Sequence, residues 1–203
     1  MKVRLLLASL FVAMVALALG QDASDPHGIA PIMRANDEVN LLTDLTPLKL
    51  TKEQYPKVIA LLKASREKFD KELKALEAKE AASVKQLKPK VDEAHAKALK
   101  GEVPPDSYFE EWQKMLMSHA VDRANLRIST VRSLGDELKK VLTEEQVKSA
   151  IASAKKVITK AQGGKEPDPT KYGDNSLFWY YVENVLMNDL VPALLEKLSK
   201  PSE

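Results

Sequence analysis

The chain has no cysteine among its 203 residues, and it has only seven glycines. Without cysteine it has no disulfide, no thiol nucleophile and no lipid attached through a thioether. It also lacks a Gly-x-Ser-x-Gly elbow and an HExxH pair, which carry nucleophilic and zinc-dependent hydrolysis in many enzymes. Its carboxylates are interleaved with lysines, which is typical of a solvated helix surface rather than of a paired acid and base. We therefore expect a protein that is not an enzyme and needs no cofactor.

Long hydrophobic runs are absent except at the N-terminus. Lys2 and Arg4 precede an apolar run of 15 residues, 5–19, and small residues follow at once. This pattern predicts a secretory signal peptide over residues 1–20, with cleavage near Gly20/Gln21. The run is shorter than the roughly 20 residues that a membrane span needs. We expect a periplasmic or otherwise secreted protein without stable membrane insertion.

The charge of the chain gives no indication of a nucleic-acid partner. It carries 31 Lys and Arg against 29 Asp and Glu, and signal cleavage removes Lys2 and Arg4, so the mature chain is neutral. A neutral chain lacks the basic footprint of nucleic-acid-binding proteins. Residues 52–100 are locally basic, with 13 basic residues against eight acids. Such interleaved charges favour a solvated helix face, and a weakly cationic surface that attracts partners is the alternative.

One five-residue phrase occurs twice. The first copy, LTKEQ, contains Leu50, Thr51 and Gln54. The second copy, LTEEQ, contains Leu142, Thr143 and Gln146. In each copy we expect the threonine to be a helix N-cap and the glutamine to reach back to the N–H of that cap, closing a capping box. Such a cap contributes only about 1 kcal/mol. Stability alone therefore does not explain why two helices begin in the same way 92 residues apart.

The phrase Leu-Thr-x-x-Gln resembles the signature of the Spy/CpxP family of periplasmic stress proteins, also called the LTXXQ-motif family. The resemblance covers roughly residues 43–160. The helix signals of the chain, without any strand of convincing period, predict an elongated all-α hairpin of long helices with short flanking helices, and the resemblance implies a curved antiparallel homodimer. It also implies an ATP-independent holdase that shields unfolded or partly folded envelope proteins. The alternative is a regulatory accessory protein, which would bind a sensor-kinase domain of an envelope-stress or metal-responsive system.

Helix start and stop signals divide the chain into five segments. We expect a signal peptide at 1–20, a flexible segment with a short helix from Asn36 to about Thr43 at 21–50, a helical hairpin domain at 51–164, a loop at 165–175 and an aromatic C-terminal helix at 176–203. The first long helix is expected from Thr51 to about Gly101, kinked or divided at Pro89. The returning helix is expected to end near Lys140.

Each long helix carries an apolar stripe. The first stripe repeats every eleven residues, a period that keeps a nearly straight helix facing one way: Val58, Leu62, Ser65, Phe69, Leu73, Leu76, Glu80, Val84, Leu87, Val91, His95 and Ala98. The second comprises Phe109, Trp112, Leu116, Ala120, Val131, Leu134 and Leu138. A two-helix rod has exposed flanks and no deep core, so we expect a second chain to cover these stripes.

Two surfaces are candidate binding sites. On the returning helix, small residues flanked by Arg123 and Arg127, with Leu126 and Ile128 beside them, predict a groove with an apolar floor and cationic edges. The other candidate contacts, on apolar patches edged by bases, are Leu61, Lys63, Arg66 and Lys74. The alternative is that the arginine stems only cover apolar surface while their heads stay in water. Residues 178–181 are four consecutive aromatics. We expect their helix to pack on the hairpin with Trp179 or Tyr180 partly exposed, and a partner-binding anchor is the alternative.

The histidines offer at best half of a metal site. A transition metal needs three or four ligands at about 2 Å. His95 has Asp92 one turn away and His119 has Asp122, but hairpin pairing places the two histidines roughly 10 Å apart along the helices. We therefore expect no metal within one chain, and a site formed by His95 and His119 across a dimer is the alternative. Since His95 lies on the predicted stripe, we expect it to be hydrogen-bonded and partly buried.

Overall fold

The computed structural model describes residues 29–200, and within them the protein is all-α, with six α-helices and no strand. The helices are α1 Ile29–Leu45, α2 Gln54–Leu99, α3 Asp106–Val141, α4 Glu144–Ala161, α5 Asp174–Tyr181 and α6 Val191–Leu198. A 3₁₀ turn, Thr46–Leu48, follows α1, and a π-helical segment, Val182–Leu186, follows α5. The predicted signal peptide lies outside the described residues. Over 29–200, no helix combines the length and apolar character of a membrane crossing.

The chain divides into two compact units, Met1–Val39 and Asn40–Glu203. The described part of the first unit is the beginning of α1, where Arg34 and Glu38 form an ion pair of 3.5 Å. The helix begins at Ile29, so the expected start at Asn36 is wrong. Pro31 lies in the first turn, where its missing N–H has no helical partner to lose. Asn36 therefore lies inside the helix and does not cap it.

Helices α2 and α3 form the hairpin of the second unit. They have 46 and 36 residues, so α2 is about 70 Å long at 1.5 Å per residue. Gly101, with φ of +80°, lies in the turn that joins them, as the sequence predicts. Pro89 lies inside α2 without dividing it. We call residues 54–73 of α2 and 130–141 of α3 the proximal end, and the rest of both helices the distal part.

The eleven-residue stripe of α2 holds from Val58 to Glu80, and Leu87 and Val91 beyond it are half-buried as predicted, but the positions at Val84 and His95 move by one residue. Ser83 is half-buried and Ala94 is buried, whereas the predicted Val84 and His95 are exposed. Two local features favour this register. The Ser83 hydroxyl donates to the carbonyl oxygen of Glu80 and meets His119 of α3, and Ala94 is small enough for close helix approach.

The distal part of α3 departs from its predicted stripe in the same way. Phe109, Leu116 and Ala120 are exposed, although the sequence placed them on the buried side. The buried residue there is Met115, and Tyr108, Trp112 and His119 are half-buried. At the proximal end, Val131, Leu134 and Leu138 are buried as predicted. Thus the distal part of α3 turns a different face to α2 than hydrophobicity suggests, whereas α2 largely keeps its predicted face.

The proximal end has a well-formed hydrophobic core, and the expectation of no deep core is wrong there. Leu138 of α3, Phe178 of α5 and Val191 of α6 have no solvent-exposed surface. Residues 41–48 and helix α4 contribute further buried leucine, isoleucine and alanine side chains. The chain therefore covers the proximal end of its own hairpin, without a second copy.

The C-terminal segment, residues 174–200, is not the single helix that the sequence predicts. It consists of α5, the π-helical segment, a turn and α6. The Asn188 side chain accepts a hydrogen bond of 3.0 Å from the Leu190 N–H in the turn, and Pro192 in the first turn of α6 has no N–H to extend a helix across it. The predicted packing of the aromatic residues on the hairpin is confirmed, because Phe178 is buried and Trp179 is half-buried.

Candidate functional site

The second copy of the repeated phrase forms a complete capping box. Thr143 is the N-cap of α4, and its hydroxyl accepts the N–H of Gln146 at 3.3 Å. The Gln146 side chain accepts the N–H of Thr143 in return, at 2.8 Å. Both halves of the motif thereby satisfy backbone donors that the helix leaves unpaired.

The first copy forms only half of a capping box. The Gln54 side chain accepts the N–H of Thr51 at 2.9 Å, but α2 begins at Gln54, three residues later than expected. The N–H groups of Gln54 and Tyr55 bond the backbone carbonyl of Thr51 instead of its hydroxyl. Hydrogen bonds from its own backbone N–H and from the Thr51 hydroxyl lower the pKa of the Glu53 carboxyl. The expected cap by the Thr51 side chain is therefore wrong.

The two motif glutamines bond each other. Each Nε2 donates to the Oε1 of the other glutamine, both at 2.8 Å. The second hydrogen of each amide goes to a backbone carbonyl: Gln54 donates to Val141 at 2.8 Å and Gln146 to Lys49 at 3.2 Å. Each carbonyl lies two residues before the threonine of the opposite motif, so the arrangement has a local twofold character. We call it the glutamine pair.

The glutamine pair uses the full hydrogen-bonding capacity of both amides. A glutamine has two donors and two acceptor sites, and each of these four positions has a partner. Carbonyls only accept and backbone N–H groups only donate, so the surroundings determine the orientation of both amides. The repeated phrase thus joins the starts of α2 and α4. Sequence reasoning found the repeat but not the pairing, because a capping box accounts for each glutamine separately.

The candidate cationic contacts are mostly held in ion pairs within the chain. Arg66 pairs with Asp189, Lys63 with Glu196 at 2.7 Å, and Arg127 with Glu183 at 2.5 Å. All three acids belong to the C-terminal segment. Hydrogen bonding by Arg66 holds the pKa of Asp189 below its ordinary value. Lys74 is exposed and makes no ion pair with the residues at 29–200.

Arg123 pairs with an acid of the hairpin itself. Its Nε donates to both carboxylate oxygens of Glu80, at 2.8 and 3.1 Å, and its Nη2 also donates to Oε2. The Glu80 residue is only 8% exposed. Hydrogen bonds from Arg123 hold the pKa of Glu80 below its ordinary value, against the opposing effect of burial. Arg123 is therefore engaged in the α2–α3 contact rather than at an open groove edge.

The apolar candidates lie in different places. Leu61 is partly buried and packs against the proximal core, and Leu126 is half-buried. Ile128 is exposed, and it belongs to a stripe on α3 at helical spacings of four and three residues: Met117, Val121, Ala124, Ile128, Val131, Gly135 and Leu138. We call it the α3 stripe. The apolar candidate contacts therefore belong to more than one surface.

The C-terminal segment covers one end of the α3 stripe and leaves the other exposed. Val131 is 4% exposed and Leu138 is fully buried, and a Cβ built on Gly135 would lie 2.8 Å from the Trp179 ring. By contrast, Met117 is 60%, Val121 54% and Ile128 47% exposed. A continuous apolar stripe thus leaves the core and continues over the distal part without cover from the described chain.

The histidines do not form a metal centre in the described part of the chain. No group of three histidine or acidic side chains at 29–200 is arranged to hold an ion. His119 is half-buried and its Nε2 lies 2.7 Å from the Ser83 hydroxyl. Because that hydroxyl donates to the Glu80 carbonyl, His119 acts as the donor in this contact. His95 is exposed, which corrects the expected partial burial.

The chain matches no known family model, no curated protein and no solved structure. Its resemblance to the LTXXQ-motif family therefore depends on the two five-residue phrases alone.

Proposed function

We propose that this protein is a non-catalytic polypeptide binder of the cell envelope, an ATP-independent holdase that keeps unfolded or partly folded proteins from aggregating. The observation that carries the proposal is the exposed half of the α3 stripe, from Met117 to Ile128. An apolar surface that continues directly from a packed core offers a client the same contacts that the C-terminal segment makes at the proximal end. The signal-like N-terminus and the repeated motif support an envelope location.

Apolar burial, rather than charge attraction, dominates the proposed capture. Three of the bases expected at the groove edge already pair with acids of the C-terminal segment, and exposed pairs of this kind interact weakly with a third charge in salt solution. By contrast, half-exposed methionine, valine and isoleucine side chains each gain about 1 kcal/mol on full burial. The homodimer stays a prediction, and a second copy would compete with clients for the same exposed stripe.

Aggregation of several unrelated unfolding proteins, with and without this protein and without ATP, tests the proposal. We expect suppression at near-stoichiometric amounts. A variant with Met117→Ser, Val121→Ser and Ile128→Ser should lose about 2–3 kcal/mol of client affinity, roughly 30- to 150-fold. Val157→Ser, which changes an exposed valine of α4, is the matched control and should stay active. No suppression of any client by the wild type would refute the holdase and leave the single-partner regulator.

A further inference from the structure

A cavity of about 210 Å³ lies between the hairpin and the C-terminal segment. Its apolar lining includes Leu62 and Phe69 of α2, and Leu186 and Met187 of the C-terminal segment. An apolar cavity of about 150 Å³ is large enough for a benzene ring. The volume therefore suits one phenyl ring or one branched aliphatic side chain, and it is too small for most cofactors.

The cavity lies where the helix of the C-terminal segment is irregular. The π-helical segment ends at Leu186, and the turn that follows contributes Met187, Asn188 and Asp189 to the lining. A single π-helical turn between α-helical ones is frequently associated with a functional site. Glu183, within the π-helical segment, pairs with Arg127. Asp189, in the turn that follows, pairs with Arg66.

The rim of the cavity carries more acids than bases. Two arginines, Arg66 and Arg127, lie among its lining residues together with three acids, Asp70, Glu183 and Asp189, which leaves a net charge of −1. Each arginine is paired with an acid of the C-terminal segment. Asp70 is exposed and makes no ion pair with residues 29–200, and it acts on Arg66 only at longer range.

We propose that this cavity binds a large apolar side chain of a partner polypeptide at a position flanked by lysine or arginine. The apolar lining accepts the side chain, and the excess acid at the rim attracts the neighbouring base. An acidic residue next to the bound side chain would lie near Asp70 and near the carboxylates of Glu183 and Asp189, which already pair with the two arginines. These like charges would repel it. The inference rests on the proposed polypeptide binding and gives it a sequence preference.

The direct test uses the protein labelled with ¹³C at its methionine methyl groups. Met187 lines the cavity, whereas Met117 lies on the exposed half of the α3 stripe, so the two methyl signals report the two sites separately. The probes are three short Gly/Ser peptides with a central Phe–Lys, Phe–Glu or Ala–Lys pair. We expect Phe–Lys to shift the Met187 signal at concentrations where Phe–Glu is at least several-fold weaker and Ala–Lys has no effect.

Asp70→Asn tests the charge preference on a surface position that does not disturb the core. Loss of one exposed charge interaction should weaken Phe–Lys binding about two- to fivefold and bring it close to the affinity for Phe–Glu. Asp136→Asn, which removes another exposed acid of the hairpin, should leave both peptides unchanged.

The outcomes separate this inference from the proposed function. An unchanged Met187 signal with all three peptides, or tighter binding of Phe–Glu than of Phe–Lys, would overturn the inference. Aggregation could still be suppressed in that case, with the Met117 signal shifting alone. Conversely, a Met187 shift without any suppression of aggregation would retain the cavity as a binding site and remove the holdase.

Discussion

Replacing the glutamine pair should reveal how strongly the two motifs are coupled. Gln146→Ala removes both bonds to Gln54 and those to the Thr143 N–H and the Lys49 carbonyl. At a net value of about 1 kcal/mol for each bond, with partial replacement by water, this variant should lose about 2–4 kcal/mol of unfolding free energy. Gln54→Ala removes an equivalent set, but Gln54 is less buried, so the loss should be smaller.

The two single variants share the two bonds that join the amides, so their effects should not add. We expect the double variant to be less destabilised than the sum of the single variants by about 1–2 kcal/mol. Urea unfolding with comparable m-values gives the three free energies. Gln113→Ala, at an exposed position of α3, is the control and should change stability by no more than about 0.5 kcal/mol.

Simple additivity would refute this reasoning. If the double variant lost the sum of the two single losses to within about 0.3 kcal/mol, the glutamines would act only as separate helix caps. The repeated phrase would then have no role in joining α2 to α4. A coupling of the expected size would instead identify the repeat as a tertiary contact.

Three further predictions concern the hairpin and its caps. The lowered pKa of Glu80 adds stability that is lost as pH falls through that pKa, so Glu80→Gln should cost about 1 kcal/mol at pH 7 and progressively less as the pH falls below the ordinary pKa of a glutamate, measured by thermal unfolding. Gly135→Ala should destabilise by about 1 kcal/mol, because the clash with Trp179 exceeds the gain in helix propensity; unchanged or increased stability would contradict this contact. Thr143→Ala should cost about 1 kcal/mol and Thr51→Ala less than half of that in urea unfolding, and equal losses would contradict the half-formed box.

Local signals predicted the order of helices well. Gly101 and the prolines after it mark the hairpin turn, Thr143 caps α4, and Gly163 and Gly164, both with positive φ, follow its end. These signals depend only on residues that are close in sequence, so the amino-acid sequence alone reveals them. The all-α fold and the helical hairpin follow from them.

Features that depend on distant partners were not predictable in this way. The burial of Ser83 in place of Val84 reflects its bond to the Glu80 carbonyl and its contact with His119, which no hydrophobic pattern predicts. The proximal core depends on the C-terminal segment folding back onto the hairpin. The division of that segment into separate helices depends on the turn before Pro192. The predicted binding surfaces did not anticipate that Glu183, Asp189 and Glu196 would pair with the candidate bases Arg127, Arg66 and Lys63. Each of these results from a long-range contact that competes with a local preference.

Photo-crosslinking tests most directly whether clients bind the exposed half of the α3 stripe. A photoreactive amino acid replaces Val121 in one variant and Ala152, an exposed residue of α4, in the other. With an unfolding client and no ATP, the account predicts crosslinks from position 121 and few or none from position 152. Equal crosslinking from both positions, or crosslinks from position 152 alone, would contradict it.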